Sequence, residues 1–180
     1  MSADARTANV LAALALELDG RMSAATREAS GLSASQAAAL VALINFAEDQ
    51  PLAILQEALG LSQPAIGRIL EGLEGRGLVV RARGHAGDGR RLRVRVTRSG
   101  RRLGAHTVEA RLEAVAEALG AMPAGSRAAV GPAVEPLLDA LTGGRADARR
   151  ICRLCEPDIC GHPERCPVTL AADRAEALAG

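Results

Sequence analysis

The sequence predicts a mainly α-helical fold that carries one small β-wing, and three observations indicate this fold class. Apolar residues recur at three- and four-residue spacings through most of the chain, which is the period of amphipathic helices. Residues 92–96 alternate strictly between apolar and arginine side chains, which is the period of a half-buried strand. The 180 residues are 48% hydrophobic and 24% charged, as expected for a globular chain with its own core.

Two helices are predicted in the first 50 residues. Residues 5–28 carry an apolar stripe and are followed by Gly31, a residue type that commonly ends helices. The second helix runs through Phe46. It opens with a capping box, in which the Ser33 hydroxyl and the Gln36 side chain satisfy free backbone N–H groups.

A helix-turn-helix is predicted next. Residues 54–59 form a short helix that ends at Gly60, and Ser62 then caps a second helix that tolerates Pro64 in its first turn. Two short helices about a three-residue turn make this motif. In DNA-binding examples, the first turn of the second helix enters a major groove and contacts base edges. The residues expected to contact DNA there are Ser62, Gln63, Pro64, Ala65 and Arg68.

A basic β-hairpin follows the helix-turn-helix. Residues 78–83 and 92–96 form its strands around a glycine-rich turn, and the alternation buries positions 92, 94 and 96. At the turn, Arg90 is suited to a narrow minor groove, with Asp88 holding its guanidinium group in place. The arginines expected to contact phosphates are Arg91, Arg93 and Arg95.

The charge distribution favours a polyanionic partner. Residues 68–102 contain eleven arginines and three acidic residues, a local net charge of +8, whereas the whole chain carries +1. Phe46 is the single aromatic residue, which excludes base stacking on aromatic platforms. The composition therefore favours duplex DNA over single-stranded nucleic acid.

Two further helices complete the helical part. Thr97 caps a helix that extends to about residue 121, and a second helix is predicted over residues 124–141. Gly143 and Gly144 then mark a boundary, after which come the cysteine segment and a short alanine-rich tail.

Residues 55–100 resemble the winged helix-turn-helix of MarR-type transcriptional regulators. The resemblance rests on LQEALGLSQPA at 55–65, LEGRGLV at 73–79, DGR at 88–90 and VRVT at 94–97, and it extends over roughly residues 5–142. It implies a homodimer with one recognition helix per subunit in successive major grooves, and a small organic effector between the helical and DNA-binding parts. The implied domains are a helical dimerisation domain (5–31 and 98–142), a winged helix-turn-helix (32–97) and an extension (143–180).

The extension contains all four cysteines, spaced Cys152-x2-Cys155-x4-Cys160-x5-Cys166. Four thiols within fifteen residues can close around one metal centre at little cost in loop entropy. A reducing compartment favours metal binding or redox chemistry over structural disulfides. The Cys-x5-Cys-Pro ending resembles the loops that hold iron–sulfur clusters in SoxR-type redox regulators, and we therefore favour an iron–sulfur cluster.

Zinc remains an alternative for this segment. Cys152-x2-Cys155 followed by His162 and Cys166 is close to the spacing of zinc knuckles. A metal-free thiol switch is a further alternative, and we interpret His162 as a loop residue rather than a ligand. Nearby cations suited to offset a negative thiolate centre are Arg149, Arg150, Arg153 and Arg165.

Other function classes find little support. The sequence contains no glycine-rich phosphate loop, His-Glu-x-x-His zinc motif or nucleophile elbow. A dithiol oxidoreductase usually carries its Cys-x2-Cys in a βαβ setting, which the pattern does not predict. The first residues lack the layout of a signal peptide, and no long uncharged apolar run occurs, so we expect a cytoplasmic protein with no membrane partner.

Together these patterns predict a transcription regulator, a repressor in our interpretation, and not an enzyme. We expect it to bind a pseudo-palindromic operator in double-stranded DNA as a homodimer, with the four-cysteine iron–sulfur centre sensing redox state or iron. The alternative is a structural or sensory zinc site combined with a small organic inducer, and a dithiol oxidoreductase is a minor alternative.

Overall fold

The computed structural model describes residues 3–83 and 92–179, and within them it is mostly helical with one two-stranded antiparallel sheet. This confirms the predicted fold class. The N-terminal elements are α1 (Ala3–Ser30), α2 (Ala34–Ala42), a π-helical turn (Leu43–Ala47), α3 (Leu52–Leu59), α4 (Gln63–Gly75), β1 (Val79–Arg83) and β2 (Leu92–Val96). The C-terminal elements are α5 (Arg98–Gly120), α6 (Ala124–Ala128), α7 (Val130–Ala140), α8 (Arg145–Cys152), α9 (Pro157–Cys160) and α10 (Pro167–Ala179).

The hydrophobic core lies between α2, α3, α4 and the sheet. Leu40, Leu55, Leu70 and Val94 contribute one side chain from each of these elements, and each is at most 1% exposed. Burying a side chain of this size stabilises a fold by roughly 1.5–3 kcal/mol. The shared core therefore fixes α3 and α4 relative to each other and to the β-wing.

Local signals set the helix ends as predicted in three places. Ser33 and Gln36 form the capping box at the start of α2. Gly60 ends α3 in the left-handed conformation at φ 65°, which glycine adopts without a Cβ penalty. Thr97 caps α5, its hydroxyl oxygen accepting a hydrogen bond from the Gly100 N–H at 3.0 Å.

The prediction of one helix over residues 124–141 is wrong, because the segment forms two helices, α6 and α7, that meet at Ala129. Pro132 explains the interruption. A proline has no N–H to donate to the carbonyl group four residues earlier, that of Ala128, and its ring crowds the same carbonyl. Along the other side of the molecule, α1 packs lengthwise against α5.

Residues 145–179 pack onto the rest of the molecule instead of trailing from it. The alanine-rich tail forms helix α10, which packs against α7 and α8, while α8 packs against α3 of the helix-turn-helix. Arg145 of α8 contacts Glu176 of α10 at 3.0 Å, and Arg174 of α10 pairs with Asp139 of α7. The cysteine segment is thereby brought next to the DNA-binding part.

Across the described ranges no individual helix has the length and apolarity that crossing a membrane requires. Asp4–Ser30 and Ala34–Ala47 meet that criterion only as a pair, and the two segments are bent by 78°.

Candidate functional site

The start of α4 is open to solvent, whereas one side of the helix is buried. Ile66, Leu70 and Leu73 point into the core with no exposed surface. Gln63, at the first position of the helix, and Arg68, on the side away from the core, are exposed. Because these two side chains are five residues apart, they rise from neighbouring turns at the N-terminal half of the helix.

Residues 62–65 start α4 without the predicted side-chain cap, since the Ser62 hydroxyl accepts no capping hydrogen bond. An N-cap oxygen bonds the second or third N–H of a helix, and Pro64, in the second position, has none. Ser62 and Pro64 are exposed and Ala65 is half-buried. Ser62 therefore occupies the predicted N-cap position and the helix begins where expected, but its side chain does not supply the capping hydrogen bond.

The two strands of the wing are paired in the register Val79↔Val96 and Arg81↔Val94. Val79, Val94 and Val96 are buried, as the alternation predicted for positions 94 and 96, and Arg93 is exposed on the other side of β2. The wing-tip residues predicted to contact DNA, Asp88 and Arg90, lie outside the described residues, as does Arg91.

Two acidic residues outside the wing form ion pairs with arginines of the wing. Arg81 Nη2 lies 2.5 Å from Glu74 Oε2 on α4, and this hydrogen bond lowers the pKa of Glu74 and raises that of Arg81. Arg95, which was expected to contact phosphates, donates to both carboxylate oxygens of Asp49 at 2.9 and 3.2 Å. Part of the basic charge counted in the sequence is therefore neutralised within the fold.

The four cysteines converge on one cavity of about 270 Å³. Cys152 ends α8, Cys155 lies in the following turn, Cys160 ends α9 and Cys166 precedes α10. They form two hydrogen-bonded pairs, Cys152 with Cys155 and Cys160 with Cys166. Within the described residues, no three Cys, His, Asp or Glu side chains are grouped closely enough to hold a metal ion as they stand.

Each pair contains one acidic thiol. The hydrogen bond from Cys152 lowers the pKa of Cys155 to about 7 against the effect of burial, with help from the positive charges of Arg111 and Arg153. The same hydrogen bond and burial raise the pKa of the donor Cys152. Thiolates bind soft metals, so the electrostatics of this turn suit a ligand at Cys155.

The second pair is arranged in the same way. Burial and the hydrogen bond to Cys166 raise the pKa of Cys160 to about 12. Burial also acts to raise the pKa of Cys166, but hydrogen bonds from Thr169, Cys160 and the backbone of Val168 outweigh it and lower the pKa. Since α10 begins at Pro167, these bonds make Cys166 the N-cap of that helix.

Three contacts hold the cysteine segment against the rest of the protein, and the sequence analysis identified none of them. Asn45 Nδ2 donates to the carbonyl oxygen of Cys155 at 2.9 Å. Arg111 of α5 donates to the carbonyl oxygen of Leu154 at 3.1 Å. An ion pair of 2.6 Å joins Arg149 to Glu57. Asn45 lies in the π-helical turn, and such turns frequently occur at functional sites.

Other polar side chains near the cysteines in sequence have partners of their own. His162 Nδ1 lies 2.8 Å from the Thr169 hydroxyl, and Arg150 pairs with Asp147 at 2.5 Å. Of the four arginines expected to balance the centre, Arg153 does act on Cys155. The buried guanidinium group of Arg111 does so as well, and burial lowers its pKa.

A second, smaller crevice of about 90 Å³ lies between the helical part and the DNA-binding part. Residues of α1, the start of α2, Arg111 and the turn at 151–154 line it. Pockets for drug-sized organic ligands usually measure about 300–1,000 Å³. The crevice is therefore smaller than such a pocket.

The comparisons with known proteins agree with this architecture. Residues 30–91 match the model of the MarR family. Among solved structures, Rv1404 from Mycobacterium tuberculosis is 26% identical, with 78% of this chain and 94% of that chain covered and a TM-score of 0.64. No curated protein matches the chain.

Two more distant structures share the fold. A transcriptional regulator of the MarR family from Rhodococcus sp. RHA1 is 20% identical, with 76% of this chain and 95% of that chain covered and a TM-score of 0.59. CouR from Rhodococcus jostii RHA1, bound to p-coumaroyl-CoA, is 23% identical, with 71% and 88% covered and a TM-score of 0.54. The chain thus has the fold of MarR-family transcriptional regulators.

Proposed function

We propose that the protein is a sequence-specific transcription regulator, acting as a repressor, that binds duplex DNA as a homodimer. We further propose that an iron–sulfur centre held by its four cysteines modulates this binding. The observation that carries the DNA-binding part is the solvent-exposed start of α4, which presents Gln63 and Arg68 on a helix whose other face is anchored in the core. Glutamine pairs well with adenine edges, and arginine with guanine edges or phosphates.

The basic wing supports the same proposal. Arg93 is exposed on β2, next to the turn in which the sequence carries Asp88, Arg90 and Arg91. Contacts to phosphates supply affinity and fix orientation, whereas contacts to bases supply specificity. We assign the first role to the wing arginines at 91 and 93 and the second role to the first turn of α4.

The homodimer is supported by apolar surface on the outer helices. Val10, Leu11 and Leu14 of α1 are between 43% and 52% exposed, and Leu137 of α7 is 42% exposed. Surface of this kind on adjacent turns is typical of protein interfaces. Dimeric helix-turn-helix proteins place their recognition helices about 34–36 Å apart to reach successive major grooves, so dimer geometry would control DNA affinity.

The donor set of the cysteine cavity fits a soft metal centre. Four thiols face one cavity, and each pair includes one thiol whose pKa is lowered, so that it deprotonates more readily than an ordinary cysteine. Binding a single core would require the two hydrogen-bonded pairs to give up their S–H protons and move together. When bound, an iron–sulfur cluster would supply one-electron redox chemistry and sensitivity to oxidants.

The Cys160-x5-Cys166 spacing followed by Pro167, which resembles the cluster loops of SoxR-type regulators, favours an iron–sulfur cluster over a single zinc ion. A zinc ion would use the same thiols as ligands at about 2.3 Å. Zinc remains the second candidate. The crevice next to Arg111, at about 90 Å³, is too small for an organic effector such as the coenzyme A thioester bound to CouR.

Selection from a random duplex library, followed by fluorescence anisotropy at several salt concentrations, tests the DNA-binding part. We expect Arg68→Ala to weaken binding to the selected site by about 1–3 kcal/mol. The matched control is Arg127→Ala, a change on the exposed surface of α6. Equal affinity of the wild type for all sequences, or equal effects of the two substitutions, would contradict the proposed role of α4.

Anaerobic purification with absorption spectroscopy and iron, sulfide and zinc analysis tests the centre. The chain has no Trp or Tyr, so a brown protein with matched iron and sulfide would identify a cluster directly. Zinc is colourless, so a colourless protein with one zinc per chain would identify a zinc site instead of a cluster. We expect Cys155→Ala to abolish the bound metal and His162→Ala to retain it.

A further inference from the structure

The segment around the first two cysteines touches the helix-turn-helix directly. Arg149, three residues before Cys152, forms its 2.6 Å ion pair with Glu57 on α3. Cys155 accepts, through its backbone carbonyl, the hydrogen bond from Asn45 in the π-helical turn. Both contacts reach elements that share the core with α4. A movement of the turn that carries Cys155 would therefore act on α4 through these contacts and the shared core.

We propose that Asn45 and Glu57 are positioning residues that transmit the state of the four-cysteine centre to α3 and, through α3, to α4. This inference rests on the proposed function, because it requires that the centre modulates DNA binding. Asn45 holds the carbonyl group of Cys155, and Glu57 holds Arg149 on α8, the helix that leads into the turn.

The proposed movement starts at the thiols. In the structure the Cys152 thiol is hydrogen-bonded to Cys155, and the Cys160 thiol is hydrogen-bonded to Cys166. Binding a single metal core would instead bring the two pairs together. We propose that the turn of Cys155 shifts toward the second pair, and that shift would pull on the carbonyl group held by Asn45. The same shift would rotate the end of α8 and displace Arg149 relative to Glu57.

The opposite side of the turn explains why the movement would alter DNA affinity. Arg111 of α5 holds the carbonyl group of Leu154, adjacent to Cys155, and its guanidinium group is largely buried. The turn is therefore held between α5, which belongs to the helical part, and the π-helical turn, and α8, which leads into it, packs against α3. A shift of the turn would change the orientation of α3 and α4 relative to α5, and hence the spacing of two recognition helices in a dimer.

The ion pair is not needed for folding, because the side chains of Arg149 and Glu57 are 31% and 39% exposed and ion pairs at such sites contribute little to stability. Arg145, one turn earlier on α8, pairs with Asp173 and Glu176 of α10 and not with the helix-turn-helix. It offers a matched control on the same helix.

The test compares operator affinity in two states of each protein: purified with metal in the absence of oxygen, and stripped of metal by a chelator. Fluorescence anisotropy gives the affinities and elemental analysis gives the metal content. For the wild type we expect about a tenfold difference between the states. In Asn45→Ala/Glu57→Gln the difference should fall below about twofold at unchanged metal content, whereas Glu176→Gln should keep the wild-type difference.

Exchanging the charges of the ion pair provides a rescue. Glu57→Gln alone should reduce the difference between the states, and Glu57→Arg/Arg149→Glu should restore most of it. A purely structural role would give no such recovery. If Asn45→Ala/Glu57→Gln binds less metal than the wild type, the comparison of Glu57→Gln with Glu57→Arg/Arg149→Glu tests the positioning role instead.

The outcomes separate the two proposals. If the wild type responds to metal and the Asn45/Glu57 variants respond equally, the positioning role is overturned and the metal-modulated regulator stands. If the wild type binds its operator equally in both states, the sensing part of the proposed function is wrong and the positioning role fails with it. If no metal binds, the centre itself is refuted.

Discussion

The side-chain amide of Asn45 donates a 2.9 Å hydrogen bond to the backbone carbonyl of Cys155, a residue 110 positions later in the chain. Asn45 lies in the π-helical turn that continues α2, where the Glu48 N–H bonds the carbonyl group of Leu43. The contact ties the cysteine segment to the core of the helix-turn-helix. A segment outside the part of the chain that resembles MarR-type regulators is thereby integrated into the DNA-binding fold.

Replacing Asn45 by alanine should lower the free energy of unfolding by about 1 kcal/mol, the usual contribution of one hydrogen bond. Asn45→Asp should cost more, because its carboxylate would face the carbonyl oxygen of Cys155 with no proton to donate. Urea denaturation followed by circular dichroism measures both. Gln50→Ala, at an exposed position after the π-helical turn, is the control, and an equal loss in the control would argue against the contact.

Local features of the sequence predicted most of the helix boundaries, because each depends on a few adjacent residues. The caps at Ser33 and Thr97 and the end of α3 at Gly60 are of this kind. The sequence also contained the information to predict the interruption at Ala129. Pro132 has no N–H to donate to the carbonyl group of Ala128, a hydrogen bond that a continuous helix would need.

The surroundings of the cysteines were not predictable in the same way. Their spacing indicated a common site, and the four do line one cavity. The residues that position this site are far away in sequence: Glu57 is 92 positions from Arg149, and Arg111 is 43 positions from Leu154. No period, cap or motif marks such residues in a single sequence, because only tertiary packing brings them to the site.

Glu74 should make the stability of the protein depend on pH. Its hydrogen bond with Arg81 lowers the pKa of Glu74 from the ordinary value of 4.5. The folded state therefore binds this proton less readily than the unfolded state, and the ion pair stabilises the fold above pH 4.5. This contribution is lost as the pH falls through the lowered pKa of the folded state. Thermal unfolding of wild type and Glu74→Gln should thus differ at pH 7 and converge in acid.

Glu71 provides the matched control for this prediction. It lies on the same helix, but its carboxylate is 4.0 Å from Arg81 Nη1, against 2.5 Å for the closest contact of Glu74. Glu71→Gln should therefore change the melting temperature at pH 7 by much less. A difference between wild type and Glu74→Gln that persists unchanged in acid would show that the ion pair is not its cause.

Gly100 should not tolerate a side chain. It lies in the first turn of α5, where a Cβ would collide with the carbonyl oxygen of Leu78 and lie 2.8 Å from Val96 Cγ1. The Leu78 carbonyl accepts a hydrogen bond from the Thr97 N–H and cannot easily move. Gly100→Ala should destabilise the protein by about 1–3 kcal/mol, the usual cost of overpacking.

Gly120 is the matched control, since a Cβ there meets nothing within 4 Å and the residue ends the same helix. Gly120→Ala should stabilise the protein by about 0.4–1 kcal/mol by restricting the unfolded chain. Urea denaturation of the two variants separates steric overlap from helix propensity. Stabilisation by both substitutions would mean that α5 does not approach Leu78 as closely as described.

Cys166 has two roles that substitutions can separate. Its sulfur accepts hydrogen bonds from the backbone of Val168 and Thr169 at the start of α10, and the side chain is 2% exposed at the cysteine cavity. Serine is among the best N-cap residues but is a poor ligand for soft metals. Cys166→Ser should therefore lose the metal and keep α10 folded, whereas Cys166→Ala should lose both the metal and the cap.

The cap alone should account for about 1 kcal/mol of the difference in unfolding free energy between the two variants when both are free of metal. Hydrogen exchange at the first amides of α10 locates the effect, because only the alanine variant should expose them. Iron and zinc analysis of the same samples follows the metal. Metal retained by Cys166→Ser would remove Cys166 from the ligand set, and equal exchange in both variants would remove it from the cap.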